Sequence, residues 1–318
     1  GISRANTAIA KIPEIKMNES KKNRLIAEAR TLRALYYFNL VRFFGDVPLI
    51  LDLKTVEDSK GPRDSKELIY DQIIEDLTFA EEHLPLRSEY SASDEGRINK
   101  GAAKILFGKV YLTKGDFQKA KDKLAEVVEH ESEYGFGLHK DYHANWLRDT
   151  EAGIEAVLYI EYKEPPFQHN GEMALAGPKY SIPGSLGISA LNEADIPTQE
   201  LYDQFDNRDL RKKTNFKTEF AHLKTGEILK SSIPLSGKFW VEGLETGDRC
   251  DVNMHIIRYA DAILMYAEAL NEVGKSTKAL AMLNRIRERA FGDDSGNFKP
   301  MSKDEFRTAI LNERRLEF

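Results

Sequence analysis

Between Arg24 and Ile50 the chain reads RLIAEARTLRALYYFNLVRFFGDVPLI, and no other stretch restricts the fold as strongly. Leu25, Ala29, Leu32, Tyr36, Leu40 and Phe43 recur at helical spacing, and Ala27, Ala34, Phe38 and Val41 widen that stripe beyond the needs of a half-exposed surface helix. A central helix, covered on two sides, is expected here. Gly45 stands where a C-terminal cap belongs and Pro48 cannot continue a helix, so the element stops there and enters an extended Val-Pro-Leu-Ile segment.

The flanking segments supply further helices. Ile2, Ala5, Ile9 and Ile12 mark a short helix ending near Pro13, and Lys54 to Pro62 form a charged surface loop. Asp64 with Glu67 three residues on resembles a capping box, and Ile69, Ile73, Leu77, Ala80 and Leu84 make one apolar face before Pro85. That is a second long helix, antiparallel to the first. From Lys100 the order is helix, Gly115-Asp116 turn, helix, with Gly108, Tyr111, Gly115, Phe117, Ala120, Leu124 and Val127 at tetratricopeptide offsets. A second copy lies 159 residues later, where Phe107/Tyr266, Gly108/Ala267, Gly115/Gly274, Ala120/Ala279, Leu124/Leu283 and Val127/Ile286 correspond at constant shift. Ile256 to Ala290 is therefore expected to be another helix pair. A Ser302-x-x-Glu305 cap opens a further helix through Phe306, Ile310 and Leu311.

Residues 131–251 behave differently, with scattered Gly and Pro and few sustained helical faces. Val157 to Tyr162 has the β-branched and aromatic run of a short strand, and Pro197 to Arg211 holds one short helix. The rest is expected as long, ordered loops, anchored by the two tryptophans Trp146 and Trp240. The fold class is all-α: a tetratricopeptide-like scaffold from residues 1–130 and 252–318, a loop-rich insertion at 131–251 with little β structure, and a single structural domain overall.

Composition narrows the partners. A net charge of −6 and a pI near 5.8 argue against nucleic acid, because phosphate binding needs clustered Lys and Arg. No apolar run approaches the about 20 residues that a membrane span needs, since Arg30, Arg33, Asn39 and Arg42 interrupt even the longest helix. The single cysteine, Cys250, rules out an internal disulfide framework and reads as a packed residue.

Glu28-Ala29-Arg30, Leu32 to Phe38 and Phe44-Gly-Asp-Val-Pro-Leu49 together resemble the signature helix of the SusD/RagB family. The similarity continues in Arg63-x-Ser65, Ile74-x-Asp76-Leu77, Gly96-Arg97-x-Asn-Lys-Gly-Ala-Ala103, Pro197 to Phe205, Asp209-x-Arg211, Arg258 to Asn271, Asn284 to Ala290 and Ile310 to Glu317. It covers most of the chain except roughly residues 131–195 and 212–254. The resemblance implies a cell-surface glycan-binding lipoprotein of the outer membrane that hands oligo- or polysaccharide to a SusC-like TonB-dependent transporter, without catalysis. Family members begin with a lipidated cysteine and continue beyond Glu-Arg-Arg-Leu-Glu, so the chain reads as cut at both ends. Contact with the membrane is then expected only through a lipid anchor outside this chain. Alternatives are a RagB-like binder of peptides or other nutrients, and a helical-repeat scaffold that binds only protein.

No catalytic constellation and no cofactor site emerge from the residues. His139 and His143 are four apart, but Lys140 occupies the place of a zinc protease's glutamate, so no metal is expected. Gly184-Ser-Leu-Gly187 lacks the spacing of a nucleophile elbow and reads as a turn. Asp203, Asp206 and Asp209 read as capping and turn residues, and Glu28 as an ion-pair partner of Arg24. Recognition remains. A neutral oligosaccharide offers C–H patches on its ring faces and hydroxyls at its edges, so aromatic planes with polar groups beside them hold it. Trp146, Trp240, Tyr162 and Tyr180, with Phe167 and Phe239, lie in or beside the insertion. Each ring alone is ordinarily packed in a core, but at least one of the set is expected to stack on sugar, with Trp146 and Trp240 first. Asn145, Arg148, Gln168 and Asn170 are the polar partners expected beside them.

Overall fold

The computed structural model describes residues 1–52, 61–163 and 170–318. They gather into two compact units, Gly1–Gly135 and Phe136–Phe318, so the insertion packs with the last helices in one unit. The described residues are about 54% helical and 10% strand, which makes this an all-α helical-repeat fold with minor β structure.

In the first unit, α1 (Ile2–Lys11) precedes α2 (Glu19–Phe44), and Gly45 caps α2 at φ 66°, a conformation that favours glycine. Helix α3 (Lys66–His83) runs antiparallel to α2: Val47 bridges Asp64 at one end, and Arg33 on α2 makes a two-pronged pair with Asp76 on α3 (2.8 and 2.7 Å). Asp64 is not the cap of α3. Its carboxylate accepts from the Leu49 backbone N–H, while Ser65 caps the helix through the Leu68 N–H. Helix α2 is covered on two sides as expected, by α1, where Arg33 donates to Asn6 at 3.0 Å, and by α3. Ala27, Ala34, Tyr37, Phe38 and Val41 are buried, while Leu32, Tyr36 and Phe43 of the expected stripe lie on the remaining exposed sector. The loop expected at residues 54–60 lies outside the described residues. Glu28 faces Arg24 at 3.7 Å and accepts a closer bond from Arg97 at 2.7 Å.

Helices α4 (Lys100–Lys114) and α5 (Phe117–Val128) form the expected hairpin, turning at Gly115 with φ 77°. A Cβ at Gly108 would lie 2.5 Å from Leu124 Cγ, so the smallest side chain is what lets the two helices approach. Lys123 joins Glu81 and Glu126, which ties α5 to α3. A single turn, α6 (Glu131–Tyr134), closes the unit.

The second unit carries β1 (Ala156–Ile160), α7 (Glu172–Ala176), α8 (Gln199–Gln204), α9 (Lys212–Asn215), β2 (Phe216–Ala221), β3 (Ile228–Ser236) and β4 (Met254–Arg258), followed by α10 (Tyr259–Glu272), α11 (Ser276–Phe291) and α12 (Lys303–Glu317). The α10–α11 hairpin turns at Gly274, the counterpart of Gly115, and the Ser302/Glu305 box caps α12 as expected. Two antiparallel ribbons occupy the former loop region. β1 pairs with β4 from Ala156↔Arg258 to Ile160↔Met254, so residues 254–258 are strand and the helix begins only at Tyr259. β2 pairs with β3 from Phe216↔Ser236 to Ala221↔Ile228, a hairpin where ordered loop is expected from the sequence.

A buried ion cluster joins the insertion to the C-terminal helices. Arg211 pairs with Asp209 (2.7 Å), Glu313 (2.7 Å) and Glu317 (2.9 Å), while Arg258 bridges Glu155 and Glu317 at 2.7 Å each. Arg289 reaches both Glu155 and Glu317 as well. Burial disfavours a charge on Glu317, but Arg289, Arg258 and Arg211 outweigh it and hold the carboxyl well below its ordinary range. Asp209 is therefore a structural ion-pair member. Asp206 is engaged by Arg208 and Asp203 by Gln199.

Candidate functional site

The expected recognition residues separate into buried and accessible groups. The 3₁₀ turn Tyr142–Trp146, capped by Asp141, folds its rings inward. Trp146 is only 7% exposed, meets Tyr142 edge to face at 4.7 Å, and packs with Met173, Cys250 and Val252. A ring so enclosed offers no face to a sugar. Asn145 is fully buried and donates to the Tyr142 carbonyl at 3.0 Å. Asn170 is also buried, donating to the Val252 carbonyl and accepting from the Glu172 N–H. These three positions therefore support the loops from beneath. Phe167 and Gln168 lie outside the described residues.

Trp240 is half-buried. It bridges two apolar clusters and meets Phe220 edge to face at 4.7 Å. Phe239 packs on the same cluster as Trp146.

Two accessible arrangements remain. In the first, Arg148 pairs with Asp251 at 2.6 Å, the buried Glu151 carboxylate accepts from the Asn253 N–H (2.9 Å), and the Asn253 side-chain oxygen accepts from the Tyr162 N–H (2.9 Å). Tyr162 is half-buried and Arg148 exposed. Burial pushes the Glu151 carboxyl up to about 7 against the pull of the Asn253 N–H, and the nearby Asp251 charge adds to the rise. The Cys250 thiol beside this group is driven up to about 11 by burial, so it is not a nucleophile at neutral pH.

In the second arrangement Tyr180 is 76% exposed, with the Lys179 ammonium 5.2 Å from its ring centre. Its backbone is held from one side. A single oxygen of Glu193 accepts the N–H groups of Lys179, Tyr180 and Ser181 at 2.6, 2.6 and 3.0 Å. Glu193 itself sits at φ 51° and Ala190 at φ 60°, left-handed conformations that cost free energy at non-glycine residues. Nothing in the sequence marks Glu193, because a carboxylate that organises three amides through tertiary contact leaves no local pattern. Gly184 and Gly187, both at positive φ, form the turn expected there.

His139 and His143 are half-buried, and burial lowers the His139 pKa. Among the described residues, no three His, Cys, Asp or Glu side chains converge to hold a metal ion, and no helix is long and apolar enough to cross a membrane.

Comparison with known proteins agrees with the fold. Residues 232–318 match the model of the SusD family, and residues 1–112 match a SusD-like model described as starch-binding, associating with the outer membrane. A SusD-like protein of Formosa agariphila is 31% identical over 99% of this chain and 66% of its own length. A SusD-like protein of Bacteroides ovatus is 26% identical and longer still, this chain spanning 58% of it. Among solved structures, a SusD superfamily protein of Parabacteroides distasonis superposes with a TM-score of 0.84 at 27% identity, covering 99% of this chain and 70% of that one. A laminarin-binding SusD-like protein gives 0.79 at 29% identity, with 99% and 72% covered. With both ends of the sequence and the whole course of the backbone in agreement, the chain is a member of the SusD/RagB family.

Proposed function

We propose that this chain captures glycan at the cell surface, as part of an outer-membrane lipoprotein that passes the glycan to a SusC-like TonB-dependent transporter, and that it performs no bond cleavage. The observation that carries the proposal is Tyr180: a large ring turned to solvent on a main chain pinned by three hydrogen bonds to one carboxylate. Such a ring is ordered before ligand arrives, so little freedom is lost on binding. The similarity to a laminarin-binding SusD-like protein supports the same ligand class.

Tyr180 is assigned the stacking role. Tyr162 and Arg148 lie in the other accessible group, and the solvent-facing part of Trp240 offers a secondary contact. Trp146 and Asn145 are assigned to the underlying core.

Calorimetric titration with laminarin, starch and a panel of further polysaccharides tests the proposal. A glycan that binds the parent chain should lose about tenfold in affinity with Tyr180→Ala, the equivalent of about 1.4 kcal/mol. Unchanged affinity in Tyr180→Ala, or shortened products after incubation, would overturn it. Silence across glycans together with binding of a defined peptide would favour nutrient-peptide capture instead.

A further inference from the structure

A second concave surface lies apart from the Tyr180 turn in sequence and differs from it in charge. Between α8, α9 and β2 opens a cavity of about 430 Å³, lined by Tyr202, Asn207, Lys212, Lys213, Phe216 and Lys217 among others. That volume falls within the range of about 300–1,000 Å³ usual for small-ligand sites. Three of the lining residues, within six positions of one another, are lysines.

The charge balance inside the cavity decides what it accepts. Its two carboxylates are already neutralised: Asp209 by the buried Arg211 at 2.7 Å, and Glu219 by Lys230 at 3.0 Å. Lys217 is paired with Glu242 at 2.8 Å. Among the described residues Lys212 has only neutral partners, the Asn207 side-chain oxygen (3.0 Å) and the Phe205 carbonyl (3.3 Å), and its ammonium sits 4.4 Å from the centre of the Tyr202 ring. Lys213 is exposed and has no ion partner among the described residues. Two ammonium groups at the cavity are thus left without counter-charge, and one of them is fixed by a ring and two oxygens.

Neutral polymers gain little from uncompensated ammonium groups. An anion gains charge-assisted hydrogen bonds from both. On the basis of the glycan-capture proposal, we propose that the Lys212–Lys213 cavity receives the acidic substituent of a polyanionic polysaccharide, a carboxylate or a sulfate. The ring of Tyr180 and this cavity then read different features of one ligand class: the sugar face and its charge.

Affinity electrophoresis and calorimetry with dextran (neutral), dextran sulfate (sulfated) and polygalacturonate (carboxylated) test the inference. At least one polyanion should bind more tightly than dextran, with affinity falling as NaCl rises. The variant Lys212→Gln/Lys213→Gln should weaken that binding roughly tenfold and flatten its salt dependence, and Lys213→Gln alone, at an exposed position, should give a smaller loss in the same direction. Which polyanion responds identifies the acidic group. The inference is overturned if neither polyanion exceeds dextran, or if the double variant binds unchanged. It is equally overturned if Lys16→Gln/Lys21→Gln, a control pair in the first unit, weakens binding as much. Tyr180-dependent binding of neutral glycans with indifference to both polyanions would sink the inference and leave glycan capture standing. Absence of binding to every glycan would sink the proposal beneath it.

Discussion

Replacing Arg211 with methionine removes one charge from the centre of the buried ion cluster while keeping much of its volume. Arg211 has no solvent exposure, and it is the sole cation that Asp209 meets among the described residues, at 2.7 Å. Glu313 would retain Arg287, and Glu317 would retain Arg258 and Arg289, so the damage concentrates on Asp209. Leaving one member of a buried pair uncompensated costs about 3–5 kcal/mol, against a typical total of about 5–15 kcal/mol. For a unit of this size that corresponds to a fall in melting temperature of roughly 6–20 °C. The two tryptophans both lie in the second unit, so tryptophan fluorescence during thermal unfolding reports on that unit selectively. Adding Asp209→Asn to Arg211→Met should recover part of the loss, because the orphaned charge is then gone. A loss no larger than that of Arg208→Met, which disrupts the exposed Arg208–Asp206 pair, would refute the idea that the cluster holds the insertion to the last helix.

Glu151 gives a pH prediction of definite sign. Its folded-state pKa, about 7, lies above the ordinary 4.5, so the stability it contributes is fully present below that ordinary value and is lost as pH rises through about 7. The loss is on the order of 3 kcal/mol, and Glu151→Gln should flatten melting temperature against pH between 5 and 8.5; parallel profiles would contradict this. In the first unit, Gly108→Ala places a methyl group against Leu124 Cγ, and the strain of about 1–3 kcal/mol should exceed the about 1 kcal/mol gained in helix propensity. Far-ultraviolet dichroism during unfolding would show it, and an unchanged or raised midpoint would mean that the two helices are not in close contact there.

The helices were legible because their signals are local. Gly45, Gly115 and Gly274 punctuate them, the Ser302/Glu305 box opens α12, and the 159-residue repeat marks the second hairpin in the sequence itself. Edges were lost where tertiary pairing overrides local pattern. Ile256–Arg258 reads as the start of a helix, yet it belongs to β4 and pairs with β1. The β2–β3 hairpin was hidden by Pro234 within β3, although Phe216, Thr218 and Phe220 alternate and a Thr225-Gly226 turn follows. Residue type alone could not rank the aromatic candidates. Trp146 and Trp240 stand first among the expected stacking rings, but the turn at Tyr142–Trp146 and the Tyr142 ring enclose Trp146, while Tyr180 reaches solvent on a backbone held by the Glu193 carboxylate.

The bond pattern at Glu193 separates the shape of the turn from the identity of its tip. The carboxylate grips main-chain amides, which every residue except proline possesses, and makes no demand on the side chain at position 180. A single codon change there would exchange one tip for another on an unaltered platform, so preference among ligands can drift in evolution without the surrounding fold having to be rebuilt.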